Sequence, residues 1–336
     1  MAVLGGTFLT MKDLAKRMDP NHQLAKIVES LSQKNSMFEH MPWVECNDNT
    51  RHHTTSRTGL PTPTWVRLNQ GQTAQVSLTD QFTDTCGALT TRSVVDPRLA
   101  RIGGDPGGVR ASEDLAHIAA FSNTVEDALI YASTATNPNR IQGLSPRLNS
   151  TTGAAGNQLI LNEVAAETDG SDQTSMWFIA WSPETVHGIY PKGHPTGLEM
   201  VDMGDNNLVT DAGGTNQMRA YVTEFIWTFG LVVRDSSATS RLCNIDTSVL
   251  TATGATDDTI IPGMIRAYGR IKDPNVGRGC IYHNRTVDTY LWLQAREKAS
   301  HQLRPGDDAA GKPVMKFQLW DLYVSDAITN TEDELA

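Results

Sequence analysis

Imidazoles, thiols and carboxylates gather at only a few places in this sequence. His52 and His53 follow Cys46 closely enough to suggest zinc ligands, but the spacing matches no standard tetrahedral set. A polar loop is the expected role. His187 and His194 stand seven residues apart, with Asp202, Asp205 and Asp211 downstream. Oxygen-rich loops of that kind bind calcium, yet the regular spacing of an EF-hand is missing and solvated turns are expected. The run Gly103-Gly104-Asp105-Pro106-Gly107-Gly108 shares only its glycine content with a phosphate loop. It lacks the Gly-Lys-Ser/Thr ending, and its aspartate and proline interrupt the amides that would cradle a phosphate. No Gly-x-Ser-x-Gly elbow occurs. Glu224 and Asp235 bracket an aromatic stretch, but one carboxylate at each strand edge does not make a glycosidase pair. The expectation is no catalytic residue, no cofactor and no metal ligand.

The elements around these groups suggest a scaffold. Tyr221, Thr223, Phe225, Trp227, Phe229 and Leu231 alternate along one stretch, the period of a strand. Sheet core is the expected role, ahead of a sugar-stacking platform. The longest helix is expected over residues 112–133. Leu115, Ile118, Ala119, Ser122, Val125, Ala128, Leu129 and Ala132 recur there at helical spacing. Ser112 serves as its N-cap, with Glu113 and Asp114 favoured by the dipole. The preceding Gly103 to Arg110 is expected to lie outside the helix, and Thr136-Asn137-Pro138 to follow its end. At 1.5 Å per residue this makes a rod of roughly 33 Å.

The rest of the chain alternates helix and strand. Thr10 to Met18 reads as a short helix, and a second begins with Asp19 as cap and Pro20 in its first turn, with Leu24, Ile27, Val28 and Leu31 as its stripe. Thr64 to Leu68 and Gln75 to Leu78 read as two arms of a polar hairpin turning at Asn69 to Gln72. Met176 to Trp181 reads as a buried strand, and Ser182-Pro183-Glu184 as the start of a short helix through Val186. Asp257-Asp258 precedes a helix through Met264, Ile265 and Tyr268, and Cys280 to Tyr282 reads as a strand. Asn284 caps a helix from Arg285 to about Lys298, and strands at Met315 to Leu319 and Leu322 to Val324 precede an acidic tail. The class is α+β.

Composition sets the outer bounds. The 336 residues carry a net charge of −10, which disfavours a tight grip on nucleic-acid phosphates. No run of 18 apolar residues is present to span a membrane. Charges interrupt the first twenty residues before an apolar core can form, unlike a signal peptide. Cys46, Cys86, Cys243 and Cys280 are scattered, as expected of reduced thiols in a protein made in a cytoplasm.

The order of parts is an amphipathic arm, a polar extended hairpin, one long helix, a strand-rich middle and closing strands. It resembles that of tailed-phage major capsid proteins of the Hong Kong 97 type. Several stretches are similar to the capsid proteins of short-tailed, podovirus-like phages of the Bordetella-phage kind. They are Arg57-Thr58-Gly59-Leu60-Pro61 with Trp65, Leu68-Asn69-Gln70-Gly71, Thr85-Cys86-Gly87, and Thr185 through Gly193. Asn284-Arg285-Thr286-Val287 and Asp326 through Glu332 extend the likeness almost to the end of the chain. The segment Phe317-Gln318-Leu319-Trp320-Asp321 departs from it by lacking a glycine and a proline.

The resemblance implies a Hong Kong 97-like capsid fold, in standard or permuted order of elements. It implies an N-terminal arm at 1–41, an extended loop with flanking strands at 42–102 and a spine-helix region at 103–142. A mostly axial domain at 143–275 and closing strands and helix at 276–336 complete the division. It implies a structural protein without enzymatic activity. Copies of the chain would form hexamers and pentamers of an icosahedral head around double-stranded DNA, with no sequence-specific DNA contact and no membrane. The other implied partners are a separate scaffolding protein, a cement or decoration protein, and a portal at one vertex. The expected location is the virion, after assembly in the host bacterial cytoplasm. No scaffolding segment is expected within the chain, since no long charged heptad region is present. No covalent cross-link is expected either, because no lysine lies between Lys34 and Lys192. The alternative is a soluble β-rich carbohydrate-binding or carbohydrate-active protein using the aromatic strand and the Asp202 to Asp211 loop.

Overall fold

The computed structural model describes residues 8–9, 11, 35–102, 104–162, 172–204, 207–210, 215–247, 250, 260–296, 303–307 and 313–335. The two arm helices expected within residues 10–31, together with Asp205, Asp211 and Asp257-Asp258, lie outside the described residues. In chain order the elements begin with α1 (Met37–His40), β1 (Trp43–Glu45), β2 (Arg51–Gly59), β3 (Leu78–Thr85), β4 (Gly87–Val95), α2 (Pro97–Ile102) and α3 (Pro106–Tyr131). Then come α4 (Gly153–Gly156), β5 (Leu159–Leu161), β6 (Gln173–Trp181), β7 (Val186–Tyr190), β8 (Glu199–Asp202), β9 (Asn207–Thr210) and β10 (Gln217–Val233). β11 (Thr239–Asp246), α5 (Ile260–Arg270), β12 (Arg278–His283), α6 (Arg285–Arg296), β13 (Leu303–Asp307), β14 (Pro313–Phe317) and β15 (Trp320–Val324) follow. The chain forms two compact units, one of residues 1–33, 88–126 and 195–228, the other of residues 34–87, 127–194 and 229–336.

The larger unit is organised on β6, whose nine residues are all buried. Its apolar stretch Met176 to Trp181 needs cover on both faces. β11 and β12 flank β6 antiparallel, with Ile179 opposite both Thr239 and Cys280. β15 pairs parallel to β12, and β13, β14 and β15 close the sheet as an antiparallel meander. α5 packs Ile260, Ile261, Met264 and Ala267 against Met176, Phe178 and Leu242, and α6 adds Val287, Tyr290 and Leu291 to the same core. The α6 cap is as the sequence suggests, the Val287 amide donating to Asn284 Oδ1 at 2.8 Å. Gly279 is required by packing, because a Cβ there would lie 2.2 Å from the Trp320 indole. On the other side of the sheet, β7 pairs with the last residues of β10 and with β1. β2 and β3 form a separate two-stranded ribbon.

The smaller unit carries residues 88–95 of β4, α2, residues 106–126 of α3, β8, β9 and residues 217–228 of β10. Val95, Leu99, Ala100 and Val109 form its apolar cluster, with Leu9 and Tyr221 packed on it. β8 and β9 pair along β10 at Thr223–Ile226 and Gln217–Ala220.

Three local expectations are corrected. The long helix starts at Pro106, six residues before the expected Ser112. Proline tolerates the first turn, and the break falls earlier, at Gly104 with φ +76°. Residues 182–185 form a tight turn in place of a helix, with Ser182 and Val186 joined by a backbone bond and Thr185 Oγ1 donating to the Ala180 carbonyl at 2.6 Å. The hairpin turns near Asn69 (φ 69°) as expected, but its ladder lies at the base, between Arg51–Gly59 and Leu78–Thr85. Pro61 and Pro63 have no amide to donate, which keeps that arm out of the ladder.

Candidate functional site

Of the histidines and thiols singled out in the sequence, Cys46, Cys86, His52, His53 and His187 meet at the root of the ribbon, where β2 and β3 join the larger unit, while Cys243 and Cys280 are buried on β11 and β12. Cys46 follows β1 and Cys86 follows β3, and their sulfurs stand 3.5 Å apart as free thiols. Burial raises the pKa of both. His53 Nε2 is 3.2 Å from Asp48 Oδ2, and its Nδ1 is 2.9 Å from Thr83 Oγ1. His52 packs edge-on against His187 of β7, with ring centroids 5.4 Å apart and planes at 81°. His187 is 1 % exposed, and neither of its ring nitrogens has a hydrogen-bond partner among the described residues. Burial, then His52 and Arg234, bring its pKa down to about 4. Burial lowers that of His52 as well.

Arg147, in the turn after α3, completes the root. Its Nη2 donates to Asp84 Oδ1 at 2.6 Å and to the carbonyls of Gln142 and Leu231, and its Nε donates to the Gly143 carbonyl. Gly230 lies where a Cβ would meet the Thr85 carbonyl at 3.0 Å, so backbone of β10 and ribbon approach closely. The root is therefore packed, and the buried polar atoms left without a partner there among the described residues include the Thr54 hydroxyl and the two imidazoles.

Beyond the root the ribbon is open to solvent. Trp65 is 105 % exposed and Leu68 97 %, with Leu60, Val76, Leu78 and Phe82 also exposed. Apolar side chains held this far out on a polar ribbon form a surface that a partner would cover. Thr62 and Gln75 tie the arms together through one amide-to-side-chain bond of 2.6 Å.

A second cluster fixes the end of the chain. Arg241, buried in the mostly polar strand β11, donates through Nη2 to Glu332 Oε2 at 3.0 Å and through Nε to Ser175 Oγ at 3.0 Å. Its Nη1 donates to the Leu148 carbonyl, and its guanidinium lies 4.8 Å over the Trp177 ring. Ser175 Oγ and the Tyr131 hydroxyl both donate to the Glu332 carboxylate. Burial, then the neighbouring carboxylate, raises the Tyr131 pKa. Of the expected acidic tail, Glu332 is buried, while Asp333 and Glu334 stay exposed. Sequence reasoning overlooked Arg147 and the Arg241–Glu332 pair. No local pattern marks either, since Arg241 is preceded by Thr239 and Ser240 and its burial is set by strands far away in the chain.

The remaining candidates have structural partners. In the smaller unit, Arg110 pairs with Asp202 at 2.7 Å, holding that carboxyl below its usual pKa, and Arg92 pairs with Glu224 at 3.3 Å. Arg110 also lies over the Tyr221 ring, and Phe225 is fully buried. In the larger unit, Asp235 caps the turn at Ser237. Among the described residues, no three His, Cys, Asp or Glu side chains converge to hold a metal ion, and no helix is long and apolar enough to cross a membrane.

A family model described as major capsid protein GP7 matches residues 19–336. The near-atomic structure of bacteriophage Epsilon15 superposes with a TM-score of 0.79 at 32 % identity, covering 99 % of each chain. The capsid of bacteriophage JBD30 superposes with a TM-score of 0.51 at 9 % identity, covering 89 % of this chain and 93 % of that one, a likeness of fold alone. No curated protein matches the chain.

Proposed function

The chain belongs to the family of the major capsid protein GP7, and from that premise we propose that its working surfaces are those it offers to other copies of itself. It is a bacteriophage major capsid protein with the Hong Kong 97-like α+β fold, and it forms an icosahedral capsid. Its role is structural, and we infer that it catalyses no reaction.

In this reading residues 1–41 are the arm, 42–102 the extended loop and 103–142 the spine-helix region, with residues 143–275 mostly axial and 276–336 closing the fold. Hexamers and pentamers enclose double-stranded DNA without reading its sequence. The net charge of −10 suits a container, since a strongly basic wall would hold the DNA against packing and release. A separate scaffolding protein sets shell size during assembly in the host cytoplasm, a cement protein covers joints between subunits, and a portal occupies one vertex.

The observation that carries the association reading is the ribbon, with Trp65 and Leu68 standing free at 105 % and 97 % exposure. Burial of such side chains against a neighbour contributes roughly 1.5–3 kcal/mol each. The test is negative-stain microscopy of the chain produced together with the phage's other head proteins, beside the double variant Trp65→Ser, Leu68→Ser. Wild type should form closed particles tens of nanometres across. The variant should fold with an unchanged circular dichroism spectrum and remain dissociated. Normal shells from the variant would overturn the assignment.

A further inference from the structure

We propose that His52 and His187 form an acid-sensitive latch, which frees the root of the β2–β3 ribbon from the sheet when the imidazoles take up protons. The latch goes beyond shell building and holds whether or not the ribbon tip meets a neighbour. Its two halves belong to different elements, His52 to the ribbon and His187 to β7, and the rings touch edge to face at 5.4 Å. Two neutral imidazoles pack this way as aromatic rings do. Two imidazolium ions at that separation repel, and each requires acceptors.

The surroundings supply few. His187 has no partner at either ring nitrogen among the described residues, and His52 has none at Nδ1. On β7 its strand neighbours are Val186 and Gly188, and across the β7–β10 ladder it faces Val232. Arg234, two residues beyond Val232, adds positive charge that disfavours protonation of both histidines. From β2 comes His53, itself engaged with Asp48 and Thr83. From β3 comes Asp84, directly opposite His52 in the ladder, but Arg147 already occupies it at 2.6 Å. Glu45, on β1, accepts from the Gly193 amide. Cys46 and Cys86 are neutral thiols in contact with one another. Asp84, the carboxylate opposite His52 among the described residues, is thus committed to an arginine.

A closed root therefore keeps His187 neutral, and acid favours the open root in which it can be hydrated. Linkage sets the size of the effect, because each proton taken up only on opening shifts the balance by up to tenfold per pH unit. With His187 titrating at about 4 when closed and at 6.5 when open, opening near pH 5 should be roughly thirtyfold more frequent than near pH 8.

The test is amide hydrogen exchange of the full chain, corrected for intrinsic rates, at about pH 8, 6.5 and 5. Peptides covering 46–54 and 84–90 should lose protection by about that factor, while β6 and β12 stay protected. His187→Phe should remove most of the pH response of the root, leaving only the smaller part due to His52. A root that responds no more than β6, or that responds equally in His187→Phe, would overturn the latch. If His187→Phe fails to fold, His52→Gln decides, since it removes the repelling ring and must at least halve the response. Exchange of the His187 C2 proton in the wild-type chain reads its protonation directly, and an ordinary imidazole pKa in the closed state would also overturn the proposal.

Discussion

Arg241 donates to Glu332 at 3.0 Å with both side chains nearly sealed from water, at 3 % and 6 % exposure. The pair joins an interior strand to the last few residues of the chain, and Tyr131 and Ser175 satisfy the same carboxylate. Removing one partner of a buried pair strands the other charge without water. Glu332→Ala should therefore lower unfolding free energy by about 3–5 kcal/mol, read from urea midpoints. Arg241→Met combined with Glu332→Leu should recover most of the loss. Equal losses in the single and double variants would show that the ions matter only as volume.

Stability should fall with acid in a way traceable to His187. Its folded pKa of about 4 lies below the ordinary 6.5, chiefly through burial. A depressed imidazole pKa means the unfolded chain binds the proton first. Its contribution is complete above about pH 6.5 and is lost as pH falls towards about 4, up to about 3 kcal/mol in all. Urea unfolding of wild type and His187→Phe across that window should differ in slope, the variant being flatter. Parallel curves would remove His187 as a source of the acid sensitivity.

The β14–β15 turn carries a residue against its preference. Phe317 pairs with Trp320, leaving Gln318 and Leu319 as the loop, and Gln318 sits at φ 53°. Two-residue hairpins with positive φ at the first loop position favour glycine there. Gln318→Gly should raise stability by about 0.5–1 kcal/mol, whereas Gln318→Val should lower it by about 1–2 kcal/mol. Thermal midpoints in the opposite order would show that the strain is relieved elsewhere.

Shells of this chain should come apart without breaking covalent bonds. An amide cross-link needs a neutral amine as nucleophile, and the sequence from 35 to 191 contains no lysine. Arg57 and Arg67 on the ribbon stay protonated and cannot take its place. Denaturing electrophoresis of mature particles should give one band near 36.7 kDa. A ladder of multimers that survives reductant is the contrary result.

What the sequence made legible were features carried by local pattern. β6 announces itself as an apolar run, and Asn284 as a cap, because each depends on residues a few positions away. The long helix was legible through its stripe but not at its start, where Pro106 and two glycines resemble a break and yet fit the first turn. The turn at Ser182 to Thr185 carried a helix-start signal that sheet pairing overrode. β2 shows no alternation, because its ladder is held by backbone groups and polar side chains, so only the hairpin tip could be read. The ribbon root and the Arg241–Glu332 pair join residues far apart in the chain, beyond the reach of local spacing.

The ribbon also bears on what happens before shells close. A two-stranded ribbon has two free backbone edges, and edges of that kind template strand-by-strand polymerisation into fibrils. Here the arm leading out of β2 interrupts one edge with Pro61 and Pro63, and Arg51, Arg57, Asp80 and Asp84 place charge along both strands. Thr, Ser and Gln occupy most of the remaining ladder, so no six-residue apolar segment is available for a dry zipper. Subunits can therefore accumulate at high concentration with their ribbons uncovered, and the sticky groups at the tip are too sparse to nucleate growth in one dimension.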